Sequence, residues 1–364
     1  MLRPNNLQTN HFAPPGMIPE FNELGNHPHD MRDYISSNLG SALGRLGIEE
    51  KHAEVEALLH AGIEDLSVVP TNFTGRHSPT AATRPIQDFM ESTFIRQELC
   101  TVRNEGNYEA VLNMVDSGQN IVLAPNHTSP LDGLLPLALL YDKYPEGERP
   151  SLVMSQVFEY ARITRLLTSG VSKYPVFQPK HMERFGSHRD VIRQMYGQNA
   201  TTMRALYGDT RQGGNNVFLY LERDRNTDGM GIPEPAAVRV LEMMEKAKPG
   251  VHVLPMHIDG AQTIFPSRKG VNEIDVFLDT IQIGQGDVVC GEPIAFSDVL
   301  KIAESVDQHE VVRSVMTNNE QVLEDPKQRR LATAAIIILG LVADLAPTNE
   351  AKGVYRNIDL TTLS

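Results

Sequence analysis

The feature that most constrains this chain is a series of short apolar runs, separated by helical patterns, that begins after residue 119. Such alternation is typical of an α/β fold. The last runs follow each other closely, which favours antiparallel or mixed pairing there. The sequence therefore predicts an α/β fold with a mixed sheet flanked by helices. The runs are NIVLAPN from Asn120, SLVMSQ from Ser151, SKYPVFQ from Ser172, NNVFLYLE from Asn215, VHVLPMHI from Val251, EIDVFLDTIQI from Glu273 and VVCGEPIAF from Val288.

The chain before these runs has a different pattern. From Asp30 to Leu66, apolar residues recur every three or four positions, which predicts helices. The segment Val69 to Pro85 is dense in Pro, Thr, Ser and Gly, as linkers are. We therefore expect a small N-terminal all-helical domain at residues 1–75 and an α/β domain at residues 76–364. The α/β domain is expected to begin with a helix through Ile86 to Cys100, followed by a second one in NYEAVLNMVDSG.

Charge and apolar patterning limit the partners and the compartment. A net charge of -13 argues against nucleic-acid binding, which needs a dense Lys/Arg surface. The most apolar segment, Leu331 to Leu345, is shorter than the ~20 residues of a membrane span and predicts a buried helix, with peripheral membrane contact as the alternative. With two cysteines and no signal-like N-terminus, a reducing, cytoplasmic soluble compartment is expected.

The stretch VLAPNHTSPLDG ends a strand-like run and contains His127 and Asp132. Ser129 and Pro130 fit an N-cap and first helical position, which predicts Asp132 at the third helical position. Two interpretations remain open. Asp132 completes a capping box, or it accepts a ring N–H of His127 and leaves the other ring nitrogen as a general base above the strand ends.

Cations follow two further strand-like runs. Lys180 and His181 come after SKYPVF, and Glu222 to Arg225 come after NNVFLY. Arginine binds phosphate with a bidentate fork, although solvated charges and surface ion pairs explain each cluster equally well alone. Together with His127, three strand ends predict a site that holds a phosphate and activates a hydroxyl on the same small molecule.

These motifs resemble a known family. APNHTSPLDG, the run leading to PKHM, VFLYLERDRN with IPEPAAV, and VHVLPMHI are similar to the four blocks of the glycerolipid acyltransferases. The similarity is strongest to the soluble, plastid-type glycerol-3-phosphate acyltransferase branch, which joins a small helical domain to an α/β domain. It implies a plastid stroma-like soluble compartment as the alternative to the cytoplasm. The resemblance spans most of the chain in the order of its elements.

The resemblance implies transfer of a fatty acyl group to the sn-1 hydroxyl of glycerol 3-phosphate, which gives lysophosphatidic acid. The donor would be a thioester of acyl carrier protein or coenzyme A, with no metal and no other cofactor. It implies that His127 is the general base and Asp132 its orienting partner. The phosphate ligands implied are Lys180, His181, Arg223 and Arg225. His257, in the fourth block, would pack or line the acyl cleft.

Some assignments stay open. YLERDR aligns either Glu222 and Arg225 with a Phe-Pro-Glu-Gly-Thr-Arg block, or Arg223 to Arg225 with an Arg-Asp-Arg element. Another acceptor alcohol is possible, and so is a non-catalytic protein that binds a phosphometabolite or acyl carrier on this scaffold. Basic patches for an acidic carrier are Gln178 to Arg189 and Pro326 to Arg330, and the metal-like residues His27, His29 and Asp30 are expected in a turn.

Overall fold

The computed structural model describes residues 28–67, 75–129, 132–140, 149–156, 166–178, 182, 189–226, 229–266, 280–317 and 319–356. The side chains of residues 28–31, 34, 66 and 67 are outside this description. The predicted run from Glu273 falls largely outside it as well, and so does part of the predicted linker.

The helices are, in chain order, α1 Pro28–Leu46, α2 His52–Ser67, α3 Arg84–Phe94, α4 Glu105–Asp116, α5 Leu134–Leu139, α6 Arg189–Gln212, α7 Pro235–Ala247, α8 Ala261–Ile264, α9 Phe296–Ser305, α10 Gln308–Val315, α11 Glu320–Glu324 and α12 Pro326–Asp344. Short 3-10 helices lie at Glu49–Lys51, Gln97–Leu99 and Gly353–Tyr355.

The strands are β1 Thr101–Arg103, β2 Ile121–Pro125, β3 Ser151–Ser155, β4 Lys173–Val176, β5 Asn216–Leu219, β6 His252–Asp259, β7 Asp287–Cys290 and β8 Ile294–Ala295. The α/β fold with a mixed, helix-flanked sheet is confirmed. β2 pairs in parallel with β5 and β6, whereas β7 and β8 are antiparallel to β6, as the late runs predicted.

Contacts divide the chain into two compact units. The first unit takes Met1–Ile95, Ser151–Leu206 and Arg268–Ile283. In it α1 packs on α2, α2 packs on α3, and β3 pairs in parallel with β4. The N-terminal helices are thus present as predicted. The boundary at residue 75 stays a prediction, because it was drawn on linker composition that the structure describes only in part.

The second unit takes Arg96–Pro150, Tyr207–Ser267 and Gly284–Ser364. Its strands follow the order β1-β7-β6-β2-β5, with β8 against β6. All five residues of β2 are buried, as expected of a strand covered on both faces. Because β2, β5 and β6 are parallel, their carboxyl ends lie at one edge, and the loops after Pro125, Leu219 and Asp259 meet there.

Helix α12 accounts for the most apolar segment of the sequence. Its N-cap Asp325 accepts the backbone N–H groups of Lys327 (2.8 Å) and Gln328 (3.3 Å), and Pro326 occupies the first turn. Every residue from Leu331 to Gly340 is buried, and the helix packs on β2 and β6. The predicted buried helix is confirmed. None of the described helices is both long and apolar enough to cross a membrane.

The predicted helix through Cys100 is wrong beyond Phe94. Helix α3 ends there because Ile95 adopts an extended conformation, with φ -108° and ψ 118°. Arg96 then donates its N–H to the carbonyl of Gly284 at 2.8 Å. This contact leads into β1, a three-residue strand that sequence periodicity did not predict.

Candidate active site

His127 and Asp132 form a direct hydrogen bond beyond the end of β2. His127 Nδ1 lies 2.9 Å from Asp132 Oδ2. Asp132 is fully buried, whereas 21% of the His127 side chain is exposed. An ionised carboxylate can only accept, so in the neutral ring this bond selects the tautomer with the proton on Nδ1 and the lone pair on Nε2. This tautomer is the one a general base requires.

The predicted capping box is wrong. Helix α5 begins at Leu134 with Gly133 as its N-cap, so Asp132 lies before the helix. The Asp132 carboxylate instead accepts hydrogen bonds from a residue that precedes it in the chain, from the Thr128 backbone N–H (2.8 Å) and the Thr128 hydroxyl (3.1 Å). Ser129, the expected N-cap, donates its hydroxyl to the carbonyl of Phe265 at 2.9 Å. Asp132 therefore organises the His127 loop rather than a helix end.

Tyr220, the first residue after β5, stacks on the His127 ring. The ring centroids are 4.2 Å apart and the planes make an angle of 27°. Burial raises the pKa of the Tyr220 hydroxyl well above its ordinary value, and the charge of Asp132 raises it further. Two contacts therefore hold the ring of His127, the hydrogen bond of Nδ1 to Asp132 and the stacking of its face on Tyr220.

Glu222 holds the backbone of His127. Its Oε1 accepts the His127 backbone N–H at 2.9 Å, and its Oε2 accepts the backbone N–H of Gly231. The carbonyl of His127 accepts the N–H of Asn226 at 3.0 Å. Both backbone groups of His127 are therefore bonded to the segment that follows β5, which fixes the loop in two directions.

The carboxyl group of Glu222 has an unusual protonation equilibrium. Burial raises its pKa from 4.5 to about 8, and the charge of Asp132 adds to this, although the hydrogen bonds from Gly231 and His127 oppose it. Folded Glu222 therefore keeps a proton that the unfolded chain releases above pH ~4.5. Its contribution to stability is present at low pH and is lost as the pH rises towards 8.

We therefore expect the wild type to lose stability relative to Glu222→Gln between pH 5 and pH 8. The glutamine does not titrate, so the difference in the free energy of unfolding should change by on the order of 3 kcal/mol in favour of the variant. Urea unfolding of both proteins across this range measures it. A difference that stays constant from pH 5 to pH 8 would show that Glu222 does not titrate there.

The two arginines of YLERDR follow Glu222 in the sequence. Arg223 donates its backbone N–H to the carbonyl of Ile232 at 2.9 Å, and the Arg223 and Arg225 side chains are half-buried. Glu222 is 4% exposed, and its carboxyl oxygens accept the backbone N–H groups of His127 and Gly231. Which of the two alignments of YLERDR holds stays a prediction. Lys180 and His181 lie outside the described residues, so their part in the predicted phosphate site stays a prediction.

Backbone donors for a developing oxyanion are constrained by these bonds. The amides of His127 and Thr128 already donate to the carboxyl groups of Glu222 and Asp132. Neither amide is available to a substrate carbonyl without breaking the loop. An oxyanion near His127 would have to be stabilised by other groups.

The remaining predicted residues have other settings. His257 is buried on β6, and burial lowers its pKa to about 4, so it is an uncharged packing residue. Arg330 of the basic patch Pro326 to Arg330 pairs with Glu242 and Glu304, and Arg329 donates to the carbonyl of Leu323. Most of the patch from Gln178 to Arg189 lies outside the described residues.

No cluster of three or more His, Cys, Asp or Glu side chains with metal-binding geometry occurs among the described residues. The side chains of His27, His29 and Asp30 are not among them. The predicted turn is wrong for His29 and Asp30, whose backbone lies in α1, and His27 lies outside the described residues.

No protein-family model matches the chain, and no curated protein matches it. The resemblance to glycerolipid acyltransferases therefore depends on the sequence motifs alone. Membership in that family stays a prediction.

Proposed function

We propose that this protein is a glycerol-3-phosphate 1-O-acyltransferase that takes its acyl group from a thioester of acyl carrier protein or coenzyme A. The observation that carries the proposal is the His127–Asp132 hydrogen bond of 2.9 Å at the carboxyl edge of the parallel strands, with His127 partly exposed. The hydrogen bond holds the His127 ring in the orientation that a general base needs. The motif resemblance supplies the substrate class.

In the proposed reaction, His127 Nε2 takes the proton from the sn-1 hydroxyl as the oxygen attacks the thioester carbonyl. The C–S bond then breaks, and the leaving thiolate receives the proton from the imidazolium. Asp132 keeps the ring in the reactive tautomer and stabilises the positive charge that forms on it. The substrate phosphate is held by Arg225 and Arg223 with Lys180 and His181, since guanidinium groups bind phosphate at any working pH.

The choice of acceptor tests the proposal. Purified protein would be given acyl carrier protein and coenzyme A thioesters with glycerol 3-phosphate, lysophosphatidate or glycerol. We expect transfer to glycerol 3-phosphate. Transfer only to lysophosphatidate would assign the other acceptor class, and binding of glycerol 3-phosphate without transfer would assign a non-catalytic role.

Arg225→Ala is expected to raise the KM for glycerol 3-phosphate about 10- to 100-fold, because charge-assisted hydrogen bonds to phosphate are lost. The kcat should change much less, since the proton transfer occurs elsewhere on the substrate. Initial rates over a range of glycerol 3-phosphate concentrations measure both constants. Arg313→Ala, which removes an exposed arginine of α10, is the matched control. An equal effect of the two variants would remove Arg225 from the phosphate site.

A further inference from the structure

The turn formed by Glu350–Tyr355 near the end of the chain packs against the segment Gly229–Gly231. Met230 donates its backbone N–H to the carbonyl of Ala351 at 3.1 Å, and Val354 donates its N–H to the carbonyl of Met230 at 3.2 Å. Two backbone hydrogen bonds on one residue fix both the position and the orientation of that segment.

The contact is a close approach of two backbones. Gly353 has φ +55°, and a Cβ atom there would lie 2.1 Å from the carbonyl oxygen of Met230. Gly229 has φ +110°, and a Cβ atom there would lie 2.4 Å from the carbonyl oxygen of Glu350. Only glycine fits at both positions, because a side chain would separate the two segments.

The same segment contacts Glu222 on its other side. Gly231 donates its N–H to Glu222 Oε2, and a Cβ atom at Gly231 would lie 3.1 Å from that oxygen. Tyr355 is 2% exposed, and after burial itself the charge of Glu222 is the second cause that raises the pKa of its hydroxyl. The Glu350–Tyr355 turn and Glu222 therefore enclose the Gly229–Gly231 segment.

We infer that the Glu350–Tyr355 turn is a positioning element for His127. The line of contacts runs from Gly353 to Met230, from Gly231 to Glu222, and from Glu222 to the backbone N–H of His127. Each step is a hydrogen bond or a backbone contact with no room for a side chain. The turn acts on the proposed base through Glu222. The consequence for the rate depends on the proposed function, whereas the consequence for the His127 backbone does not.

Gly353→Ala tests the inference. The added methyl group must push Met230 away, so we expect the amides of Gly231 and His127 to exchange with solvent at least about tenfold faster, while β2 amides are unchanged. The kcat for acyl transfer should fall at least about tenfold with little change in the KM for glycerol 3-phosphate. Amide exchange by NMR and initial rates measure the two effects.

Gly250→Ala is the matched control. Gly250 also has a left-handed backbone, with φ +94°, but a Cβ atom there meets nothing within 4 Å. Both variants place a side chain on a backbone with positive φ, and only Gly353→Ala adds a contact with Met230. Equal effects of both variants on His127 exchange, or normal exchange and normal kcat in Gly353→Ala, would overturn the inference.

Amide exchange in the wild type decides the matter if Gly353→Ala does not fold. The inference requires one opening reaction to expose four amides, so that their exchange gives the same free energy of opening. These are the amides of Met230, Val354, Gly231 and His127. Opening of Met230 and Val354 that leaves Gly231 and His127 protected would overturn it. If the wild type transfers no acyl group, the proposed function fails, and amide exchange still tests the positioning of His127 by itself.

Discussion

His127→Ala is expected to lower the kcat for acyl transfer to glycerol 3-phosphate by about 10²- to 10⁴-fold, the usual contribution of a general base. The KM for glycerol 3-phosphate should stay within about threefold, because the substrate is held by cations that the variant retains. Alanine keeps the backbone N–H that donates to Glu222 and the carbonyl that accepts from Asn226. The loop is therefore expected to keep its path. Steady-state rates at saturating thioester measure the effect.

His309→Ala is the control for this variant, since His309 is exposed on α10 and contacts neither Asp132 nor Tyr220 in the described structure. It should transfer at the wild-type rate. A His127→Ala protein that is folded and keeps more than about half of the wild-type kcat would exclude His127 as the base.

Asp132→Asn is expected to lower kcat by about 10²- to 10⁴-fold, by analogy with other His–Asp pairs. An asparagine oxygen at the Oδ2 position can still accept from His127 Nδ1 and from the Thr128 N–H, so the geometry is largely retained. The variant lacks the negative charge that stabilises the imidazolium formed during transfer. The amide group can also turn its NH2 towards Nδ1 and select the wrong tautomer.

Asp325→Asn is a matched control for Asp132→Asn. Asp132 accepts one backbone N–H group, from Thr128, whereas Asp325 accepts two at the start of α12 and has no histidine partner there in the described part of the chain. The same chemical change there should leave kcat unaltered. A wild-type kcat in folded Asp132→Asn would mean that the carboxylate has a structural role only, as a residue that orders the loop through Thr128.

The sequence predicted the parts of the site that depend on local patterns. β2 appeared as the continuous apolar run before His127, and the spacing of His127 and Asp132 allowed the hydrogen bond that the structure contains. The prediction of a helix cap was wrong because the sequence Ser-Pro-x-Asp matches the residue types of an N-cap, although the helix begins later. The Asp132 carboxylate instead accepts hydrogen bonds from Thr128 and His127, and Asp132 lies before the first residue of α5.

The parts that sequence did not predict depend on contacts between distant segments. Tyr220 and Glu222 come within reach of His127 only because β2 and β5 are parallel neighbours. The sequence alone therefore left two alignments of YLERDR open, and only one of them assigned a role to Glu222. The contact of Gly353 with Met230 joins residues more than a hundred positions apart, and no periodicity in either segment indicates it.

The most direct test of the proposed function is acyl transfer by the purified wild type to glycerol 3-phosphate, with the position of the acyl group determined in the product. We expect 1-acyl-glycerol 3-phosphate, formed from acyl carrier protein or coenzyme A thioester, with glycerol a much poorer acceptor. Folded protein that gives no acylated glycerol 3-phosphate from either donor would contradict the proposal.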